Sequence, residues 1–170
     1  MANAVLFLVG LVFLIEMVDA SLFDFKEFQI PNRIPVLLIL AFPVMAVSSG
    51  MDLGHMLTHL AAGTALFLMG AILFFLRIWG GGDAKLLPAV ALWVGLAALP
   101  RFLLVMALVG GGLALAALAA RHVPSVKGVA GARWVRAAST GQVPYGIAIA
   151  AAGVDWWAQS MLPRIVGGLS

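Results

Sequence analysis

The chain has 170 residues, of which 64% are hydrophobic and 10% charged, with a net charge of +3. A soluble domain is about half apolar and a quarter charged, so this composition excludes a soluble globular fold and leaves lipid as the solvent for much of the surface. There is no cysteine, which removes disulfides, zinc–thiolate sites and thiol nucleophiles together.

Six apolar segments follow in chain order, over 3–21, 34–49, 55–77, 84–99, 101–120 and 143–162. A helix needs about 20 residues to cross the hydrocarbon core, so the second and fourth are expected to end at the interface or within the bundle. The first segment has no basic start and no small-x-small cleavage site, and it carries Glu16 and Asp19 near its end. It reads as a retained transmembrane helix, not a signal peptide. Pro100 followed by Arg101 is expected to break the fourth segment from the fifth. The longest polar stretch, 121–142, leaves no room for a soluble domain, and no internal repeat stands out. The expectation is an all-α integral membrane protein, a bundle of about six transmembrane helices forming a single membrane-embedded domain over 1–170.

Orientation follows from the basic residues. Lys26, Arg33, Arg77, Lys85, Arg121, Lys127, Arg133 and Arg136 fall after the first, third and fifth segments, and only Arg101 and Arg164 fall on the other side. Basic loops stay in the cytoplasm. Loops 22–33, 78–83 and 121–142 are therefore expected inside, with both termini outside.

The acidic residues are Glu16, Asp19, Asp24, Glu27, Asp52, Asp83 and Asp155. Asp52 and Asp155 read as solvated outer residues. The other five lie near the inner face, where a carboxylate in hydrocarbon costs about 3 kcal/mol and so needs a partner or a watery cavity. Asp24 follows the first segment and Asp83 the third, so a bundle could bring them together. Two carboxylates in contact share a proton. Such a pair holds a base and an acid at once, as peptide hydrolysis requires. From spacing alone, two juxtamembrane acids that merely solvate helix ends remain the alternative. The three glycines of "WGGGDAKLLP", residues 79–88, would let another backbone approach Asp83 closely. A plain interhelical turn would use them as well.

Two stretches together resemble the type IV prepilin peptidases, membrane aspartic proteases of the GxGD class. In "DFKEFQIPN" the resemblance is carried by Asp24, Ile30, Pro31 and Asn32, and in "GGGDAK" by Gly80, Gly82, Asp83 and Lys85. A third stretch, "VPYG", resembles the entry to the family's last helix through Pro144, Tyr145 and Gly146. The resemblance spans nearly the whole chain, with the motifs in order. It implies that Asp24 and Asp83 are the catalytic dyad. It also implies that Gly80, Gly82, Lys85, Pro31, Asn32, Pro144, Tyr145 and Gly146 bind or position the substrate. That substrate would be a prepilin or prepilin-like protein with a hydrophobic helix, cut on the cytoplasmic side. The place of action would be the bacterial inner membrane, with the chain multi-pass, no cofactor, no metal and no nucleic-acid partner. The large bifunctional members carry a cysteine-bearing insertion that this chain lacks, because the loop from Asp24 to Pro35 is short and no cysteine is present. The chain resembles the compact branch serving tight-adherence (Flp-type) pili, and methyltransferase activity is not expected.

Other residues carry open alternatives. His55 and His59, four apart, would share a helix face as a metal pair or as interfacial polar groups. Glu16 and Asp19 would line a water path to the dyad or contact headgroups and neighbouring helices. Lys85 would act on Asp83, hold a substrate carbonyl, or snorkel. Arg121 to Arg136, with Trp134, would lie on anionic lipid. Gly110, Gly111 and Gly112 would allow close helix packing, and Trp156 and Trp157 would join the outer aromatic belt. The rival function, from another class, is a small proton-coupled transporter or channel using the same carboxylates. Transporters show repeats and midplane charges, whereas the acids here cluster at one face. A non-catalytic scaffold of a secretion apparatus would not need the ordered aspartate motifs.

Overall fold

A computed structural model describes residues 2–120 and 144–167. Among them every element is helical: α1 Ala2–Glu27, α2 Arg33–Ser48, α3 Leu53–Phe75, α4 Gly81–Ala120, α5 Tyr145–Ser160 and α6 Leu162–Gly167. Three helices are long and apolar enough to cross a membrane, over Asn3–Glu27, Leu53–Phe75 and Gly81–Ala119, while α2 is a shorter apolar helix. The basic stretch from Arg121 to Arg136, with Trp134, lies outside the described residues.

Two boundaries differ from expectation. The first helix does not stop at residue 21 but runs through Asp24 to Glu27. Nothing between Ser21 and Glu27 breaks a helix, because the stretch holds no glycine or proline. It ends where Phe28 adopts a left-handed φ of 53° and its N–H returns to the carbonyl of Asp24 at 3.0 Å. Asp24 is therefore a helical residue, not a loop residue. The second difference lies in α4. The expected break at Pro100 is absent, and the non-helical residue is Gly95, at φ 72° and ψ 165°. Pro100 stays inside the helix, five residues beyond Gly95. A left-handed φ suits glycine. The ring of His59 occupies the place where a Cβ on residue 95 would sit, with Nε2 2.7 Å away.

The core forms where α1, α2, α4 and α5 meet. The Trp93 ring is fully buried, lies 4.9 Å from the Phe13 ring, and donates its Nε1–H to the carbonyl of Leu38 at 2.9 Å. Phe13 also meets Trp156 edge-on at 5.4 Å. Gly153 lets α5 close on α1, since a Cβ there would come within 2.9 Å of Met17 Sδ. Gly63 and Gly70 bring α3 down on α4 in the same way, against Pro88, Leu92 and Ala84. Small residues at such contacts allow the close backbone approach that packing in lipid relies on.

Candidate active site

Three helix ends meet at one end of the bundle. Asp24 is in the last turn of α1, Asp83 in the first turn of α4, and Gly146 in the first turn of α5. Asp24 is only 6% exposed and accepts the N–H of Gly146 on Oδ2 at 2.6 Å. A helix start presents unpaired N–H groups and the positive end of the helix dipole, a good place to hold a carboxylate. Asp83 is half-buried, and the two carboxyl groups lie within electrostatic range of each other.

Ile30 fills the space between these ends. It is buried, and a Cβ on Gly82 would come within 3.4 Å of its Cγ1. A Cβ on Gly146 would come within 2.9 Å of its Cδ1 and 2.8 Å of Asp24 Oδ2. Gly146 is thus needed by close approach and not by backbone twist, while a Cβ on Gly82 would make an ordinary contact with Ile30. Gly80 accepts the N–H of Ala84 at 3.1 Å and so opens α4.

The Nζ of Lys85 donates to Asn32 Oδ1 at 2.6 Å and joins the aspartate–lysine stretch to the Ile-Pro-Asn stretch. The carbonyl of Pro31 accepts from Ile34 at 3.2 Å at the start of α2. Pro144 is buried at the N-cap of α5, and Tyr145 turns to α4, its ring lying where a Cβ on Gly110 would be, 2.8 Å off. Of the three residues of that motif, Gly146 is the one that touches an aspartate. Asp19 pairs with Arg33 at 2.8 Å, while Glu16 is buried and its Oε2 has no hydrogen-bond partner among the described residues.

The other end of the bundle holds Asp52 and Asp155. Asp52 caps α3, and the N–H of His55, at 2.9 Å, together with the His55 ring holds its carboxyl below the usual range. Asp155 pairs with Arg101 at 3.1 Å. The two histidines diverge: His55 Nδ1 meets Asp52 at 2.6 Å, and His59 Nδ1 meets the carbonyl of Leu92 at 2.9 Å. His59 thereby steadies the helix break at Gly95.

Sequence reasoning did not find the Gly146–Asp24 bond, the wedge of Ile30, or the break at Gly95. A glycine inside an apolar run looks the same whether it allows packing or a left-handed turn.

A family model described as the type IV leader peptidase family matches residues 6–115. Comparison with curated proteins and with solved structures gives no match. The match takes in Asp24 and Asp83 and covers more than half of the chain, so the protein belongs to the type IV leader peptidase family.

Proposed function

We propose that this chain is an aspartic endopeptidase that removes the leader of prepilins or prepilin-like proteins at the cytoplasmic face of the inner membrane. Asp24 and Asp83 are its catalytic pair. The observation that carries the reading is that the helix ends bearing Asp24 and Asp83 lie at one end of the bundle, joined through Gly146, Ile30 and Gly82.

In this mechanism the pair holds one proton. Asp24, which accepts the N–H of Gly146, carries the charge, since a donated N–H favours the ionised form. Asp24 takes a proton from water as the water oxygen bonds to the scissile carbonyl carbon. Asp83 gives its proton to the carbonyl oxygen, leaving a neutral tetrahedral intermediate. The carbon–nitrogen bond then breaks, the proton on Asp24 passes to the leaving amine, and the hydroxyl proton returns to Asp83. Such proton transfers contribute about 10²–10⁴-fold each. The short loop after α1 and the lack of cysteine favour the compact, Flp-type branch without methyl transfer. The six-span, both-termini-out arrangement rests on the basic loops.

The test is co-expression with a candidate prepilin. The wild-type protein is expected to shorten the prepilin on a gel. A prepilin that keeps its leader beside membrane-inserted protein would sink the reading.

A further inference from the structure

α2 and α3 are consecutive helices joined by a short turn over 49–52. Each packs on α4, yet among the described residues they touch one another only slightly, with the Phe42 ring 5.7 Å from the His59 ring near the turn. The gap between them is a cleft of about 510 Å³ with α4 as its floor. Val36 and Ile39 form one wall and Leu60 and Phe67 the other, each about half exposed. Its floor runs from Lys85 to Leu92, two helical turns or about 10 Å at the helical rise. A second cleft of about 200 Å³ shares Phe67 and Lys85 with the first and reaches Gly81. Lys85 is the one charged side chain lining either cleft. The two clefts form a track that is apolar, then cationic, then glycine.

We infer that this track between α2 and α3 is the dock for the apolar transmembrane helix of the substrate, with Lys85 pairing to a carboxylate near that helix's cytoplasmic end. This rests on the leader-peptidase reading and names where the substrate lies. The order of surfaces selects the occupant. A helix that is apolar along its length, acidic near its end and then extended matches all of it in sequence. A lipid could fill the apolar part and meet Lys85, but it would not continue past the glycines. Asp83 lies two residues before Lys85, and residues two apart do not share a helix face. The extended chain therefore crosses the start of α4 to reach the dyad. Gly80, Gly81 and Gly82 offer no side chain to block that crossing.

The absence of native cysteine makes disulfide trapping direct. Single cysteines are placed at Ile39 and Leu60 in the track, and at Leu8 and Leu104, which are exposed elsewhere (58% and 60%). Each is combined with Asp24→Asn, which keeps the substrate uncut, and with a prepilin carrying one cysteine in its apolar helix. Oxidation in membranes is expected to link the prepilin to 39 and 60 and not to 8 and 104. Equal linkage at all four, linkage at 8 or 104 alone, no linkage, or homodimers through 39 in place of prepilin adducts would each overturn the dock. Cleavage by the cysteine-free wild type is scored in parallel. Cleavage without linkage in the track sinks the dock alone, and linkage there without cleavage sinks the peptidase reading alone. Lys85→Glu is expected to abolish linkage, and exchanging the prepilin's carboxylate for lysine is expected to restore it. Undiminished linkage in Lys85→Glu would overturn the charge pairing.

Discussion

The backbone N–H of Gly146 donates to Asp24 Oδ2 at 2.6 Å, between residues 122 apart in the chain. The bond is possible because residue 146 has no side chain. A methyl group there would lie 2.8 Å from that oxygen and 2.9 Å from Ile30 Cδ1. Gly146→Ala must push Asp24 or Ile30 aside. Overpacking of this kind costs about 1–3 kcal/mol, and a displacement of about 1 Å at a reacting group costs about 10²-fold in rate. The expected result is prepilin processing lowered by that order, at matched membrane levels. Wild-type turnover in Gly146→Ala would show that Asp24 does not need this contact.

The dyad itself is tested by Asp24→Asn and Asp83→Asn. Asparagine keeps the shape and cannot take or give the proton. Each variant is expected to lose about 10²–10⁴-fold in cleavage rate while remaining inserted in the membrane and folded. Near wild-type cleavage by either would remove that residue from the mechanism.

The glycines before Asp83 differ in their surroundings. A Cβ on Gly82 would touch buried Ile30 at 3.4 Å, and one on Gly81 would touch the half-exposed Phe74 ring at 3.3 Å. Phe74 can swing into lipid, but Ile30 is wedged between the helix ends. Gly82→Val is expected to be inactive and Gly81→Ala to retain much activity. Cleavage rates with melting temperatures of the detergent-purified variants decide it. Equal activity, or losses that track melting temperature, would reduce these glycines to a turn.

The break in α4 makes a prediction about stability. Gly95→Ala forces a non-glycine residue to φ 72° and drives the His59 ring from its place. The left-handed backbone alone costs about 1–2 kcal/mol, so the melting temperature is expected to fall by several degrees. Pro100→Ala is expected to change it little. The reverse ranking would restore Pro100 as the break.

Orientation is tested by labelling. Gln29→Cys and Leu53→Cys lie at opposite ends of the bundle, at exposed positions. An impermeant thiol reagent added outside whole cells is expected to reach position 53 and not position 29. Labelling at 29 alone would put the aspartates on the outer face.

Several features were legible without coordinates because they are local or compositional. The apolar runs, the alternation of basic loops and the two aspartate motifs all read directly along the chain. Polarity after Ser21 suggests a loop, but it does not end α1. A helix tolerates Asp24 and Lys26 as long as no residue breaks it, and the stop came from the left-handed turn at Phe28. Pro100 has the chemistry of a helix breaker, yet the helix runs through it and the break falls at Gly95.

The sequence by itself determined that the chain is apolar enough to live in lipid, that it is helical, and that Asp24 and Asp83 lie in the two motifs that resemble the family. These follow from composition and short spacing, which act over a few residues. Only the tertiary structure decided that Gly146 holds Asp24, that Ile30 wedges the helix ends, that Lys85 turns to Asn32, and that α2 and α3 part to leave a cleft. Each of these joins residues far apart in the chain. Which side chain faces which neighbour depends on how whole helices cross and how closely glycines let them approach, and no local pattern encodes that.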